Sequence, residues 1–451
     1  MSKVLFYPLL WLLKIVNKMV PIFRKNGGTM ITGKVALMLD KNFISKFKDI
    51  DYDKAIMITG TNGKTSTTNM LAHSLRNAGK TVATNLEGSN MLSGIATLLI
   101  KNSTLTGKFN KEFMVLEIDE RSMPEIHKYL PANNLCITNL LKDQVQRNGD
   151  PDFIYKKIAS VITEDMTLFL NNEEPRSKGL EDKAGQVIYY SLEQNVRTFK
   201  RDDFFQVSMP CPKCASKIKY NYFNLENIGN FYCTGCEFES QKRPNVLVRN
   251  IDYENKTFEY DDERYEVNYE TPFYIYNYAL NIAVCMYFKI PVETIKEGFK
   301  TFINPYERRE EFYYKNKRIK YMRMKQENPE TLQNALNDIA QDKSMKAILI
   351  GLFEIKDFPP TYTNTFYFWD CNFKDIVATE VEKYISFSKS VAYDTTNRMI
   401  YAGVDKNKIV TIDSDNIEEV INELDNIQTD NIYLITGMKP YKKIKKLLEG
   451  V

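Results

Sequence analysis

At 451 residues the chain is long enough for about three domains, and an apolar fraction of 43% is ample for ordinary buried cores. Sixty-one basic against fifty-eight acidic side chains leave a net charge of +3, which excludes a global field that would select nucleic acid. Seven cysteines, four of them in one spaced quartet, suit a reducing compartment with one metal site and exclude a secreted disulfide scaffold.

In chain order, residues 4–23 come first as a strongly apolar run broken by Pro8, Lys14, Asn17 and Lys18. It falls short of the roughly 20 clean residues a membrane span needs, and no small-residue cleavage site marks it as a signal peptide. Two readings stand. One is a helix packed on the protein's own body. The other is a helix in the membrane interface with Lys14, Lys18, Arg24 and Lys25 toward head groups, which gives a cytoplasmic protein, peripheral at the inner face of the cell membrane.

The apolar run Ala55-Ile56-Met57-Ile58 leads into Thr59-Gly60-Thr61-Asn62-Gly63-Lys64-Thr65-Ser66, and a helical stretch follows. Strand, glycine-bearing turn and helix start bring several N–H groups and a helix dipole onto one anion. Lys64 would reach the terminal phosphates of a nucleoside triphosphate, and Thr65 would ligate Mg²⁺. Ile58 stands where a Walker A has its first glycine. Gly60, Thr61, Asn62, Gly63, Lys64, Thr65 and Ser66 form the expected nucleotide-binding loop.

Strands are expected at 55–59, 81–84, 113–118, 135–138 and 167–170, with helices such as 152–163 between them. This alternation predicts a parallel sheet covered on both faces. Glu117 ends the third strand beside the phosphate loop, where a second Mg²⁺ ligand is wanted. Beyond residue 205 come Cys211-Pro212-Lys213-Cys214 and Cys233-Thr234-Gly235-Cys236. Two such knuckles converge on one structural Zn²⁺, and Tyr220, Tyr222 and Phe223 between them suit a β-ribbon.

Helices at 276–287 and 292–302 are separated by Pro291, and the turn-like Asn304-Pro305 marks the main boundary. A second α/β pattern follows, with strands at 345–352, 364–369 and 432–436 and helices at 329–340, 417–424 and 441–448. The expected organisation is a leader over 1–50, an α/β ATP-binding domain over 51–304 with a zinc-ribbon insert at 205–245, and a Rossmann-like α/β domain over 305–451.

These pieces resemble the ATP-dependent Mur ligase superfamily. The resemblance is carried by the phosphate loop and by Gly28-Thr29 with Gly33-Lys34. It also rests on Thr84-Asn85 with Gly88, Asn90 and Met91, on Leu116-Glu117-Ile118-Asp119-Glu120, on Thr138-Asn139 through Gly149, and on Ala392-Tyr393-Asp394 with Arg398. The zinc ribbon is similar to that of one branch, the ligase-like subunits of lipid II isoglutaminyl synthases. The resemblance implies that ATP phosphorylates the D-glutamate α-carboxyl of the lipid II stem peptide. Ammonia from a GatD-type glutaminase subunit then gives D-isoglutamine. It also implies catalytic roles for Lys64 and Glu117, and nucleotide contacts from Asn277 and Arg308.

The chain departs from the family pattern in several places. Tyr274 replaces an adenine-pocket Asn, Glu307 replaces a Gly before Arg308, and Lys142 and Gln146 stand where Arg and Asp are usual. Residues 351–367 are rewritten where the family supplies an aspartate to the glutaminase site, which leaves Asp357 as the acid that would stand in. The alternative is a divergent ATP-dependent carboxylate–amine ligase without glutaminase coupling. A non-catalytic nucleotide-binding scaffold is opposed by the intact loop and Glu117.

Overall fold

The computed structural model describes residues 3–23, 30–86, 90–142, 151–200, 209–304, 309–324, 328–353, 355–356, 363–414 and 416–449. They form two compact units: 1–141 with 151–305, and 142–150 with 306–451.

The first unit opens with α1 (Lys3–Phe23) and α2 (Ile31–Leu39). Alternation then runs β1 (Ala55–Thr59), α3 (Lys64–Asn77), β2 (Val82–Thr84), α4 (Leu92–Lys101), β3 (Phe113–Glu117), α5 (Met123–Tyr129), β4 (Asn134–Ile137), α6 (Pro151–Ala159), β5 (Thr167–Asn171) and β6 (Gln186–Leu192). The hairpin β7 (Ile218–Leu225) and β8 (Ile228–Cys233) is inserted before β9 (Val246–Asp252), β10 (Thr257–Tyr260) and β11 (Glu263–Glu266), and α7 (Pro272–Tyr287) and α8 (Val292–Thr301) close the unit. The main sheet has the order β11-β10-β9-β6-β5-β4-β1-β3-β2. It is parallel from β2 to β9 and antiparallel at β9-β10-β11. Every residue of β1 is buried, because helices cover both faces and a parallel strand there must be apolar throughout. Since β1 lies between β3 and β4, its carboxyl end opens at a switch in strand order, where α/β sheets bind ligands.

The N-terminal helix packs on the protein's own body along one face. Phe6, Leu10 and Leu13 are buried, with the Phe6 ring 5.2 Å from Phe43 and 5.5 Å from Phe47. Lys14 does not face head groups. Its ammonium donates to the Ile100 carbonyl at 2.6 Å and to that of Ser103, because the last carbonyls of α4 lack intrahelical partners and attract a cation. Burial holds its pKa below the ordinary lysine value. Arg24 and Lys25 lie outside the described residues.

The second unit contains β12 (Arg309–Tyr314), β13 (Lys317–Arg323), α9 (Pro329–Gln341), β14 (Lys346–Gly351), β15 (Ile355–Lys356), β16 (Thr363–Asn364), α10 (Phe366–Trp369), β17 (Val381–Phe387), α11 (Ala392–Ala402), β18 (Ile409–Ile412), α12 (Ile417–Asp425), β19 (Asn431–Thr436) and α13 (Met438–Leu448). Its sheet runs β12-β13-β19-β14-β17-β18, parallel except for the β12-β13 hairpin. The strand expected at 364–369 is instead a helical turn. An aromatic run has high strand propensity, but here the neighbours Tyr367 and Phe368 are both fully buried, which an alternating strand with one wet face does not allow. The Tyr367 hydroxyl fixes the turn by donating to the Phe353 carbonyl at 2.9 Å.

Candidate nucleotide site and metal centre

The loop after β1 is braced from the carboxyl end of β4. The Thr61 N–H donates to the Asn139 carbonyl at 2.8 Å. The Asn62 N–H donates to Asn139 Oδ1 at 3.0 Å, and Asn139 Nδ2 returns a bond to the Asn62 carbonyl at 3.1 Å. Thr61 Oγ1 bridges both main-chain groups of Leu141, donating at 3.1 Å and accepting at 2.9 Å. Two positions admit only glycine. Gly60 has φ +125° and a Cβ there would sit 2.2 Å from Thr138 Oγ1; Gly63 has φ +89° and its Cβ would sit 2.6 Å from Asn277 Oδ1. The chain is thus bent into a fixed cradle directly before α3, whose first turn presents N–H groups and the positive end of its dipole.

Lys64 begins α3 and folds over this cradle. Its ammonium donates to the carbonyls of Gly60 and of Thr61, the latter at 3.2 Å, and to Glu120 Oε1 at 2.6 Å. Both side chains of this ion pair are largely buried, at 11% and 7% exposure. Glu117 lies level with Ile58 of β1 in the parallel register. Asn85 clamps its backbone from both sides, accepting from its N–H at 2.9 Å and donating to its carbonyl at 2.7 Å. Asn90 Nδ2 approaches its carboxylate at 3.5 Å. Two carboxylates, three residues apart, therefore reach the loop end of the sheet, and Glu120 is the one that meets Lys64.

On the far side of the loop, α7 supplies Asn277, whose Oδ1 accepts from Thr67 Oγ1 at 3.1 Å. Tyr274, the substitution at the helix start, stacks on Tyr269 with ring centres 4.5 Å apart. Asn304 ties this pair to the loop by donating to the Tyr274 hydroxyl at 2.6 Å and to Ser66 Oγ at 3.2 Å. Thr65 is half-buried at the start of α3, and its carbonyl accepts from Asn69 Nδ2 at 3.0 Å. Arg308 and Asp357 lie outside the described residues.

Sequence reasoning gave Glu120 and Asn139 no role at the loop and passed over a buried acidic pair. Glu174 is fully buried and accepts from the N–H groups of Leu140 at 3.0 Å, Arg176 at 3.0 Å and Ser177 at 2.8 Å. Glu173 accepts from Leu192 N–H at 2.9 Å, Asn224 Nδ2 at 2.9 Å and the Tyr276 hydroxyl at 2.7 Å. Burial outweighs these bonds and pushes the Glu173 pKa up to about 7. The available signal was Asn171-Asn172-Glu173-Glu174-Pro175 at the end of a strand, where four polar residues precede a helix-starting proline.

The four cysteine sulfurs at 211, 214, 233 and 236 all lie within 4.8 Å of one another. The pairs Cys211–Cys236 and Cys214–Cys233 stand at 3.8 and 3.4 Å, close to the roughly 3.8 Å edge of a tetrahedron of thiolates about 2.3 Å from a metal. The N–H groups of Lys213 and Gly235 point at Cys211 and Cys233 Sγ, at 3.4 and 3.3 Å. Hydrogen bonds at Ser216 pull the Cys214 thiol down to about 6, while burial pushes the Cys211 thiol up to about 12, so the four thiols hold their protons unequally. The donor set fits a divalent metal, and its four ligands leave no open position for substrate.

Residues 58–233 match the model of the Mur ligase middle domain, and residues 326–438 match the MurT ligase C-terminal model. The chain belongs to the MurT branch of the Mur ligase family. It is 28% identical over 362 residues to the lipid II isoglutaminyl synthase (glutamine-hydrolyzing) subunit MurT of Staphylococcus aureus, covering 79% of each chain. It is 25% identical to the subunit of that name from Streptococcus pneumoniae, covering 94% of this chain and 93% of the relative. In fold it is similar to a pseudomurein peptide ligase type C from Methanothermus fervidus, with TM-score 0.67 at 20% identity over 91% of this chain and 80% of the other. It is also similar to MurF ligase from Thermotoga maritima, solved in complex with ADP, with TM-score 0.56 at 13% identity over 94% and 84%. This MurT-branch chain is an ATP-dependent ligase of the carbon–nitrogen bond-forming class.

Proposed function

We propose that this chain activates the D-glutamate α-carboxyl of the lipid II stem peptide with ATP and amidates it to D-isoglutamine. The cradle of Gly60 to Ser66 with Lys64 over it carries the reading, since MurT relatives are named as subunits of lipid II isoglutaminyl synthase. The carboxylate oxygen attacks the γ-phosphorus, ADP leaves, and an acyl phosphate forms. Ammonia then adds to the acyl carbon, and inorganic phosphate departs as the amide forms. Phosphoryl transfer asks a protein mainly for position and positive charge. The loop N–H groups and Lys64 supply both, and Glu120 holds the ammonium in place until phosphate takes over. Thr65 and Glu117 would hold Mg²⁺, which neutralises charge on the transferred group. Asn277 and Arg308 complete the nucleotide site in this reading.

Cys211, Cys214, Cys233 and Cys236 would hold one structural Zn²⁺, so metal analysis should find about one per chain. The partner is a GatD-type glutaminase, and Asp357 is the acid that would complete its site. A lipid-linked substrate places the chain on the cytoplasmic side of the cell membrane, bound peripherally. No helix among the described residues is long and apolar enough to cross it.

The test is mass spectrometry of lipid II after incubation with the protein, ATP and Mg²⁺, with ammonium in one arm and glutamine plus the glutaminase in the other. Amidation in both arms is expected. Amidation with ammonium alone would give the reading without glutaminase coupling. No mass change in either arm, with ATP bound, would overturn the substrate assignment.

A further inference from the structure

The first acidic residue of the chain is Asp40, whereas Lys3, Lys14, Lys18, Arg24, Lys25 and Lys34 all precede it. Within this wholly basic stretch, the outward face of α1 is hydrocarbon. Leu5, Leu12 and Ile15 are 57%, 58% and 56% exposed, with Trp11 and Met19 beside them. On α2, Ile31, Val35, Met38 and Leu39 face outward in the same way, spaced as one helical stripe. The helices are tied together where Thr32 Oγ1 donates to Asn17 Oδ1 at 2.9 Å.

Two polar groups near the middle of α1 are used against the body of the protein. Lys14 caps the α4 carbonyls, and the Trp11 indole N–H donates to the Leu105 carbonyl at 2.8 Å. Ordinary amphipathic helices of soluble proteins bury the stripe and expose the charges. Here Lys14 is turned inward, while Leu5, Leu12 and Ile15 face outward.

We propose that the outward face of α1 and α2 is a docking surface for an anionic lipid bilayer. Exposed Lys18 and Lys34 lie on the same helices to meet lipid phosphates, while the apolar side chains enter the acyl boundary. A protein partner would need matching hydrogen-bond donors and acceptors at about one per 100–200 Å², and the exposed Leu5, Leu12, Ile15 and Met19 offer none. A second copy would bring like charge against like charge. The inference deepens the peripheral location proposed above and shares with it the lipid-linked substrate. Its test contains neither substrate nor ATP, so the docking surface and the ligase reading fail separately.

The experiment uses the full chain carrying Trp369→Phe, which leaves Trp11 as the sole tryptophan. It is mixed with vesicles of phosphatidylcholine with or without phosphatidylglycerol, and with vesicles whose acyl chains are brominated. Trp11 emission should shift to the blue on anionic vesicles and be quenched by the brominated chains, with much weaker binding to neutral vesicles. Leu12→Glu with Ile15→Glu should weaken vesicle binding by about tenfold or more while leaving the thermal midpoint unchanged, since both side chains are exposed. Met38→Glu provides the same test on α2 should the α1 variant unfold. Anionic vesicles that neither shift nor quench Trp11, or variants that bind as tightly as the parent, would overturn the proposal. A concentration-dependent dimer lost in the variant, with Trp11 unquenched by lipid, would assign the face to a second copy instead.

Discussion

The two sheets treat buried cations in opposite ways. In the first unit Lys64, at the start of α3, pairs with a carboxylate, Glu120, across the mouth of the loop proposed to hold phosphate. In the second unit the buried cations end on main-chain carbonyls. Lys346 donates to the Glu380 carbonyl at 3.3 Å, Lys317 to that of Ile427, and Arg398 to that of Phe368 at 3.2 Å. A carbonyl partner satisfies a strand or helix end and cannot be exchanged. A carboxylate partner can give up its cation to a stronger anion, at the cost of one ion pair. Burial alone therefore does not mark Lys64. Neither does a carboxylate partner alone, since Lys178 is as buried and pairs with Glu181. What sets Lys64 apart is an exchangeable partner placed at the loop itself.

The largest effect expected from this contrast is at Lys64. Lys64→Ala should lower ATP turnover by about three orders of magnitude, measured as ADP release with lipid II and ammonium present. Unchanged amidation by that variant would rule out this loop as the catalytic ATP site. The loss leaves Glu120 buried without its cation, which costs up to about 3–5 kcal/mol if it stays charged, so nucleotide binding should be read beside the unfolding midpoint.

A smaller effect separates buried acids from buried bases. Glu173 has its folded pKa raised to about 7 against about 4.3 in the unfolded chain. Between these values the native state binds more protons than the unfolded one, so stability falls as pH rises and levels off above the folded value. Thermal midpoints across pH 5 to 8 should show this fall in the parent, worth on the order of a few kcal/mol. In Glu173→Gln the slope should shrink, the remainder belonging to Glu174, whose pKa burial also raises. A parallel slope in both proteins would assign the titration to another group.

Much of the catalytic half was legible because its chemistry is local. Gly60, Gly63, Lys64 and Thr65 are adjacent in sequence, and the strand before them is buried on both faces, so periodicity, turn chemistry and helix start agree. The cysteine quartet was legible for the same reason, since spacing alone brings two knuckles together. Glu120 was harder. It sits three residues past Glu117 in one acidic run, and only the path of the chain beyond β3 decides which carboxylate meets the ammonium. Glu173 was harder still, because its partners Leu192, Asn224 and Tyr276 come from three separate elements. In the second unit β17, β18 and the β12-β13 hairpin went unread, since strands such as Lys317–Arg323 carry charges at 317, 318, 320 and 323 and break the apolar runs that mark parallel strands. The aromatic run at 366–369 misled in the other direction, where tertiary burial overrode strand propensity.

The smallest effect tests the carbonyl-bound class. Lys346 begins β14 with no exposed surface, and burial lowers its pKa from the ordinary lysine value. The unfolded chain binds this proton more readily, so stability should rise with pH between the lowered folded pKa and about 10.4. Lys346→Met keeps the aliphatic length and removes the desolvated ammonium, while the Glu380 carbonyl keeps the backbone N–H of residue 346 at 3.2 Å. Replacing a buried charge by a well-packed apolar group is often neutral or stabilising. The midpoint of Lys346→Met should therefore equal or exceed the parent's at neutral pH, the difference should shrink toward pH 10, and ATP turnover should be unchanged. A marked loss of turnover at full stability would mean that carbonyl-bound lysines also serve the chemistry, and the distinction by partner type would fail.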